Sequence, residues 1–389
     1  MKIVIAPDSY KGSIYAPDAA KAMAEGVLRV LPNADIDIVP IADGGDGTLE
    51  TLVEISSGQI ETLEVTGPLG NPIHAEWGAM GDKTTAVIEM ARTSGLALVP
   101  TDQRNPLIAT TFGLGEIISK ALDSGFRNFI IGIGGSATND AGAGMAQALG
   151  IKLLDSSGNN IEFGGAELLK LHSIDFSNID PRIQESIFEV ACDVNNPLTG
   201  PNGASAVYGP QKGANQKMIS LLDKALLNFA KIVVRDLGKN IKDVPGSGAA
   251  GGLGGGIMAF LGGNLRPGVD IILDKVILNN HLEGADLIVT GEGCMDFQTV
   301  FNKAPIGVAN MARPLGIPVI GISGSLGERF TDVHDHGISA AHSITNRPMT
   351  LEDASQNAAA LISDATEQAI RLIKTGSMIF GNNKHNEHF

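Results

Sequence analysis

The sequence predicts an α/β protein in which a Rossmann-like (flavodoxin-like) parallel-sheet domain is interrupted by a second α/β domain with a mixed sheet. Three observations carry this. The 389 residues exceed what one hydrophobic core usually organises, so two domains are expected. Short apolar runs alternate with helical patterns at both ends of the chain, while closely spaced strand patterns lie between them. The 49 glycines against only 4% aromatic residues suit many tight strand-to-helix turns, where glycine tolerates positive φ and close backbone approach.

Taken in order, Ile3–Ala6 is a β-branched run stopped by Pro7, as expected of a buried parallel strand. Pro17 opens a helix that ends before Pro32 and Asn33, and a second strand, Ile36–Ile41, leads to a helix starting at Thr48. Residues 61–92 read instead as an antiparallel meander. Strand patterns Glu61–Thr66, Ile73–Gly78 and Thr84–Met90 are separated by turn sequences at 67–72 and 81–83. A helix at Gly113–Ser124, strands at Phe129–Ile133 and Phe188–Cys192, and a long helix at Gln216–Leu237 follow. The alternating pattern then returns: Ile288 and Val289, a loop Thr290–Gln298, a helix from about Pro305, strands Ile317–Ile322 and Ile338–Ala341, and a last helix to about Lys374. The expected division is 1–62 plus 284–378 for the Rossmann-like domain, 63–283 for the inserted one, and 379–389 as a polar tail. Residues 107–150 could pack with either.

The balance of 28 basic to 43 acidic residues gives a net charge of −15, which argues against nucleic acid as a partner. A locally positive pocket or a bound cation could still receive a phosphorylated ligand. Cys192 and Cys294 form no metal-like pattern and fit a reducing compartment. The N-terminal apolar run is too short for a signal peptide, and no stretch of about 18 apolar residues suggests a membrane span. The expected location is the cytoplasm.

The chemistry is written in loops that follow strands, where ligands of open α/β sheets bind and glycines let backbone N–H groups face a phosphate. In Asp8-Ser9-Tyr10-Lys11-Gly12, Lys11 could meet a phosphoryl group or the carboxylate of an acid substrate. In Asp43-Gly44-Gly45-Asp46-Gly47-Thr48, two carboxylates could hold Mg²⁺, act as a base, or simply cap the next helix. The stretch 132–144, with Gly135, Ser136, Thr138 and Asn139, reads as an anion cradle, although it matches neither a P-loop nor a dinucleotide fingerprint.

Asp193, with Asn195 close behind, is a candidate base or metal ligand, while Cys192 reads as a packed apolar residue. Lys212 lies in Gly209-Pro210-Gln211-Lys212-Gly213. The run 246–256, with Gly248 and Gly251, either lets two backbones pack tightly or lines phosphates. Glu292 and Asp296 stand four apart, near Gln298 and Lys303, a grouping suited to Mg²⁺-dependent phosphoryl transfer. None of the eight histidines falls in these loops, which disfavours zinc sites and Ser-His-Asp triads.

Together these segments resemble the signatures of the type-1 glycerate kinase family. They are 8–12, 40–48, 134–140, 192–198, 209–214, 246–254 and 290–299, in matching order and spacing from residue 1 to about 325. One departure is Asn302 where the family pattern has glycine before Lys303. The resemblance implies ATP-dependent phosphorylation of D-glycerate to 2-phosphoglycerate with Mg²⁺, in a cleft between a Rossmann-like domain and an inserted one.

The expected catalytic residues are Asp193, Asp296 and Lys11, with Asp46, Asp193 and Asp296 as Mg²⁺ ligands. Substrate or nucleotide would be bound by Asp8, Ser9, Asp43, Gly44, Asp46, Gly135, Ser136, Thr138, Asn139, Asn195, Lys212, Gly248, Gly251, Glu292, Gln298 and Lys303. Alternative readings are a kinase for another small hydroxy acid, or a nucleotide-binding regulator without turnover. Nucleic acid and membrane are not expected as partners, and a homo-oligomer is left open.

Overall fold

A computed structural model describes residues 1–45, 47–301 and 303–381 of the chain. Asp46, Asn302 and the last eight residues of the predicted tail therefore lie outside the described residues. Thirteen strands occur in chain order among the described residues: β1 (Lys2–Pro7), β2 (Asp35–Ile38), β3 (Gln59–Thr66), β4 (Pro72–Ala79), β5 (Thr85–Glu89), β6 (Asn128–Gly132), β7 (Lys152–Leu154), β8 (Ser173–Asp175), β9 (Ile187–Ala191), β10 (Asn264–Arg266), β11 (Leu287–Met295), β12 (Val319–Leu326) and β13 (Ala340–Ser343). Contacts divide the chain into two compact units, Met1–Asp43 with Ile272–Phe389, and Gly44–Ile271. In this division helix Thr48–Ile55, which packs on β4 and β5, goes with the second unit. Residues 107–150 belong to the second unit.

The first unit is a five-stranded sheet in the order β13-β12-β11-β1-β2, with every pairing parallel. Counted within the unit this is 2-1-3-4-5, the flavodoxin-like order, as expected from the alternating pattern at the two ends of the chain. Its β-branched strands pack against helix Ala16–Leu28 and the C-terminal helix Ala358–Gly381. Ile3, Ile5, Met23, Val27, Val289, Ile322 and Ile362 form one buried cluster. The order reverses between β1 and β11, so the chain leaves those two carboxyl ends in opposite directions. That is where a parallel sheet opens a crevice for ligands.

One sequence expectation fails here. Thr290–Gln298 is not a loop, because β11 continues to Met295 and pairs with β12 as far as Met295↔Leu326. Alternating glycines make this possible: a Cβ at Gly324 would overlap the carbonyl oxygen of Gly293. Glu292 consequently projects from a strand.

The second unit is built on a six-stranded sheet, β10-β9-β6-β5-β4-β3. β3, β4 and β5 form the expected antiparallel meander, while β5, β6, β9 and β10 run parallel. A separate hairpin pairs β7 with β8. Phe129, Phe188, Trp77, Ile131, Leu226 and Phe229 are buried in one core, with the amphipathic helix Gln216–Leu237 laid against it. The four parallel strands end at Glu89, Gly132, Ala191 and Arg266, and the loops that follow them share one edge.

Candidate functional site

In the first unit the site grows from the carboxyl ends of β1 and β11. Pro7 ends β1, and the next side chain, Asp8, is buried at 3% exposure. Its Oδ1 accepts the Ser9 amide at 2.6 Å. Burial pushes the Asp8 carboxyl well above the usual carboxylate range; Asp43 and Glu292 push it the same way, while Lys11 and the Ser9 amide oppose them. Lys11 Nζ reaches Asp43 Oδ2 at 2.7 Å, so the predicted mobile cation is tied to the acidic loop after β2. Among the described residues Ser9 Oγ is buried without a hydrogen-bond partner.

Glu292, 6% exposed, accepts the Thr299 hydroxyl at 2.7 Å and lies 3.4 Å from Lys303 Nζ. Burial raises its carboxyl, and Lys303 and Thr299 hold it partly down. Asp296 closes the turn after β11: its Oδ1 accepts the Gln298 amide at 2.8 Å and its own amide donates to Thr299 Oγ1 at 3.0 Å. The Gln298 side chain is exposed. Tyr10, which sequence reasoning passed over, is buried and donates its hydroxyl to the Ile322 carbonyl at 2.6 Å, fastening the β1 loop to β12. A cavity of about 160 Å³ opens at this edge, lined by Tyr10, Lys11, Gly293, Ser325, Ile344 and Met349 among others.

In the second unit the loops after β6 and β9 meet the glycine run. The turn 134–140 folds back on the segment after β5, with Leu96 N donating to Gly135 O at 2.7 Å and Ala137 N to Ser94 O at 2.9 Å. Gly135 has φ +71 and is exposed, whereas Ser136, Thr138 and Asn139 are buried. Thr138 Oγ1 and Asn139 Oδ1 have no partner among the described residues, while Asn139 Nδ2 donates to Ser205 Oγ at 3.1 Å. Asp140 ends the turn structurally, accepting from Thr111 N and Oγ1 and from the amides of Gly142 and Gly144.

The alternative of tight backbone packing holds for Gly248 and Gly251. A Cβ at Gly248 would overlap the Pro197 carbonyl, and one at Gly251, whose φ is +70, would overlap the Thr138 carbonyl and lie 2.6 Å from Asn139 Cα. Ala250, at φ +52, shares this left-handed stretch at the start of helix Ala249–Phe260. The glycine run is therefore the buttress behind the 134–140 and 192–198 loops. Gly44 does the same beside β9, where a Cβ would lie 2.6 Å from Ala191 Cβ.

Asp193 is exposed and accepts the Gly268 amide at 2.9 Å, at the start of helix Gly268–Val276; Asn195 is exposed. Lys212 departs from expectation. It is 1% exposed, with Nζ 2.7 Å from both Ser136 Oγ and the Thr138 carbonyl, so it lies beneath the turn instead of facing a ligand. Burial pulls its ammonium down to about 7, against the opposing pull of Asp140.

Two residues here, buried Glu89 and partly buried Arg92, were missed. Glu89, at the end of β5, accepts the Leu49 amide at 3.0 Å and Arg92 Nε at 2.8 Å, and so caps helix Thr48–Ile55, whose N-cap residue, Gly47, offers no side chain. Neither Glu89 nor Arg92 follows a glycine turn, which was the signal sought in the sequence. A larger cavity, about 520 Å³, lined by Trp77, Lys83 and Lys120, contains none of the predicted site residues.

Among the described residues no group of three or more His, Cys, Asp or Glu side chains is arranged to hold a metal, and Asp46 lies outside them. The donor chemistry still fits Mg²⁺, which usually takes one or two carboxylates and fills its shell with water and phosphate oxygens. Exposed Asp193 and partly exposed Asp296 are carboxylates of that kind. No helix of the described residues is long and apolar enough to cross a membrane.

Comparison with known proteins adds identity to geometry. The family model described as "Glycerate kinase family" matches residues 3–374. A protein of Escherichia coli strain K12 named glycerate 2-kinase is 51% identical over 92% of this chain and 94% of its own length. A Bacillus subtilis protein named glycerate kinase is 50% identical over 98% of this chain and all of its own. A crystal structure of a provisionally assigned glycerate kinase 2 from Salmonella typhimurium LT2 superposes with a TM-score of 0.90. It shares 49% identity and covers 97% of this chain and 99% of that one.

Proposed function

The chain belongs to the glycerate kinase family and is a kinase, and from that premise we propose that it transfers the γ-phosphoryl group of ATP to the 2-hydroxyl of D-glycerate, giving 2-phosphoglycerate with Mg²⁺. The observation that carries the proposal is the 51% identity to a protein named glycerate 2-kinase over 92% of this chain. Asp8 and Lys11 follow β1 and Glu292 and Asp296 stand at the end of β11, while Ser136, Thr138 and Asn139 follow β6 and Asp193 follows β9, which supports the same reading.

Phosphoryl transfer is mostly positioning and charge neutralisation. In this reading Lys11 or Lys303 meets an anionic group of the substrates, and Asp193 or Asp296 accepts the proton of the attacking hydroxyl. The turn 134–140 offers donors to phosphate oxygens. Glycines 248 and 251 support that turn from behind, a narrower role than lining phosphates. Mg²⁺, held by Asp193 or Asp296 together with the nucleotide, would neutralise charge on the transferred group. We place the enzyme in the cytoplasm, where Cys192 and Cys294, both free, would stay reduced.

The test is ADP release with D-glycerate, ATP and Mg²⁺, with phosphorus NMR of the product and EDTA as the control. A 2-phosphoglycerate signal that disappears with EDTA supports the proposal. A 3-phosphoglycerate signal refutes the regiochemistry. Turnover only with another hydroxy acid refutes the substrate, and ATP binding without any turnover favours a regulator.

A further inference from the structure

We propose that Lys212 is a positioning residue that touches no substrate but sets the Ser136 hydroxyl as a donor toward a substrate oxyanion. The inference rests on the kinase reading and deepens it. Lys212 sits at the end of the short turn Pro210–Lys212, and Gly213 at φ +90 follows, where a Cβ would overlap the carbonyl of Arg104. The backbone leaves the lysine little freedom there. Its stem is fully buried, and Nζ donates at 2.7 Å to Ser136 Oγ and at 2.7 Å to the Thr138 carbonyl.

An ammonium has donors only. In that charged form the Ser136 oxygen accepts from Lys212, and its own proton points elsewhere. Ser136 keeps 6% exposure, and the Ala137 amide beside it is already spent on the Ser94 carbonyl. The hydroxyl proton is thus a donor of the turn left to meet an incoming anion. Thr138 Oγ1, two residues on and buried without a partner among the described residues, is a second polar group that a ligand could satisfy.

The arrangement carries a pH signature. The charged groups on neighbouring segments are Asp140, which acts on Lys212 directly, and Arg104, which reaches the Gln211 carbonyl at 3.4 Å. Burial holds the free lysine near 7. An anion bound across Ser136 favours the protonated lysine and raises that value. Binding near pH 7.5 should then take up a fraction of a proton, whereas below about pH 6, where the lysine is already charged, it should take up none. The oxyanion could be a nucleotide phosphate or a carboxylate, so the experiment treats the two ligands separately.

ATP alone and D-glycerate alone are titrated calorimetrically at pH 7.5, in two buffers of different ionisation enthalpy. The proteins are the wild type, Lys212→Met, Lys212→Arg, Ser136→Ala and the exposed control Lys217→Met. For the ligand that meets Ser136, wild type and Lys217→Met should take up protons. Lys212→Met should lose that uptake and bind about ten- to hundredfold more weakly. Lys212→Arg, always charged, should bind without uptake. Ser136→Ala leaves the Thr138 bond in place, so it guards against misfolding of the lysine variants, and it should weaken the same ligand about tenfold. Uptake and affinity unchanged in Lys212→Met, or unchanged affinity in Ser136→Ala, overturn the positioning role while turnover stands. A wild type that binds neither ligand refutes the kinase reading itself.

Discussion

Replacing Gly251 by alanine isolates the cost of crowding the buttress behind the 134–140 turn, provided it is compared with Gly262. Both glycines take nearly the same left-handed φ, +70 and +68, but a Cβ at Gly262 meets nothing within 4 Å. The left-handed penalty, about 1–2 kcal/mol, is thus common to the two variants. So is the small gain from a stiffer unfolded chain. At Gly251 the new methyl also overlaps the Thr138 carbonyl and presses on Asn139 Cα, which adds roughly 1–3 kcal/mol of overpacking.

Gly251→Ala should therefore lose about 2–5 kcal/mol and Gly262→Ala about 1–2. At ~2–4 °C per kcal/mol the two melting temperatures should differ by several degrees. The Thr138 carbonyl also accepts from Lys212 at 2.7 Å, so pushing it should lower kcat/KM, while Gly262→Ala leaves kcat/KM unchanged. Thermal melts and steady-state kinetics on the two variants decide the matter. Equal melting shifts would refute the steric argument, and unimpaired kinetics in a destabilised Gly251→Ala would refute the role of the turn.

Asp193→Asn and Asp296→Asn keep the oxygen that accepts from the Gly268 and Gln298 amides and remove only the charge. The one acting as base or Mg²⁺ ligand should lose at least about a hundredfold in kcat without a shift in melting temperature, and near-normal kcat in both would sink the assignment. Asp8→Asn bears on stability. The folded carboxyl is held above its unfolded value, so its contribution is fully present below about pH 4 and fades as pH rises through the folded value. The variant should melt above the wild type at neutral pH and match it near pH 3.5. A pH-independent difference contradicts this. Lys11→Met should raise KM for one substrate by about tenfold, measured by varying each substrate in turn; unchanged KM for both assigns Lys11 to the Asp43 pair alone.

Sequence by itself determined the parallel sheet at the two chain ends, the antiparallel meander between them and most of the turns that carry the candidate residues. Those features follow from local causes: hydrophobic period, Pro7, and glycines that only certain turns require. Tertiary structure alone decided what those loops do to one another. That β11 runs on through Glu292, that Lys212 lies under Ser136, and that Gly251 packs on Thr138 all depend on segments tens of residues apart. So does the placement of Glu89 as a cap for the helix that begins after Gly47. No local pattern encodes such pairings, because they are fixed by which surfaces exclude water together once the sheets have formed.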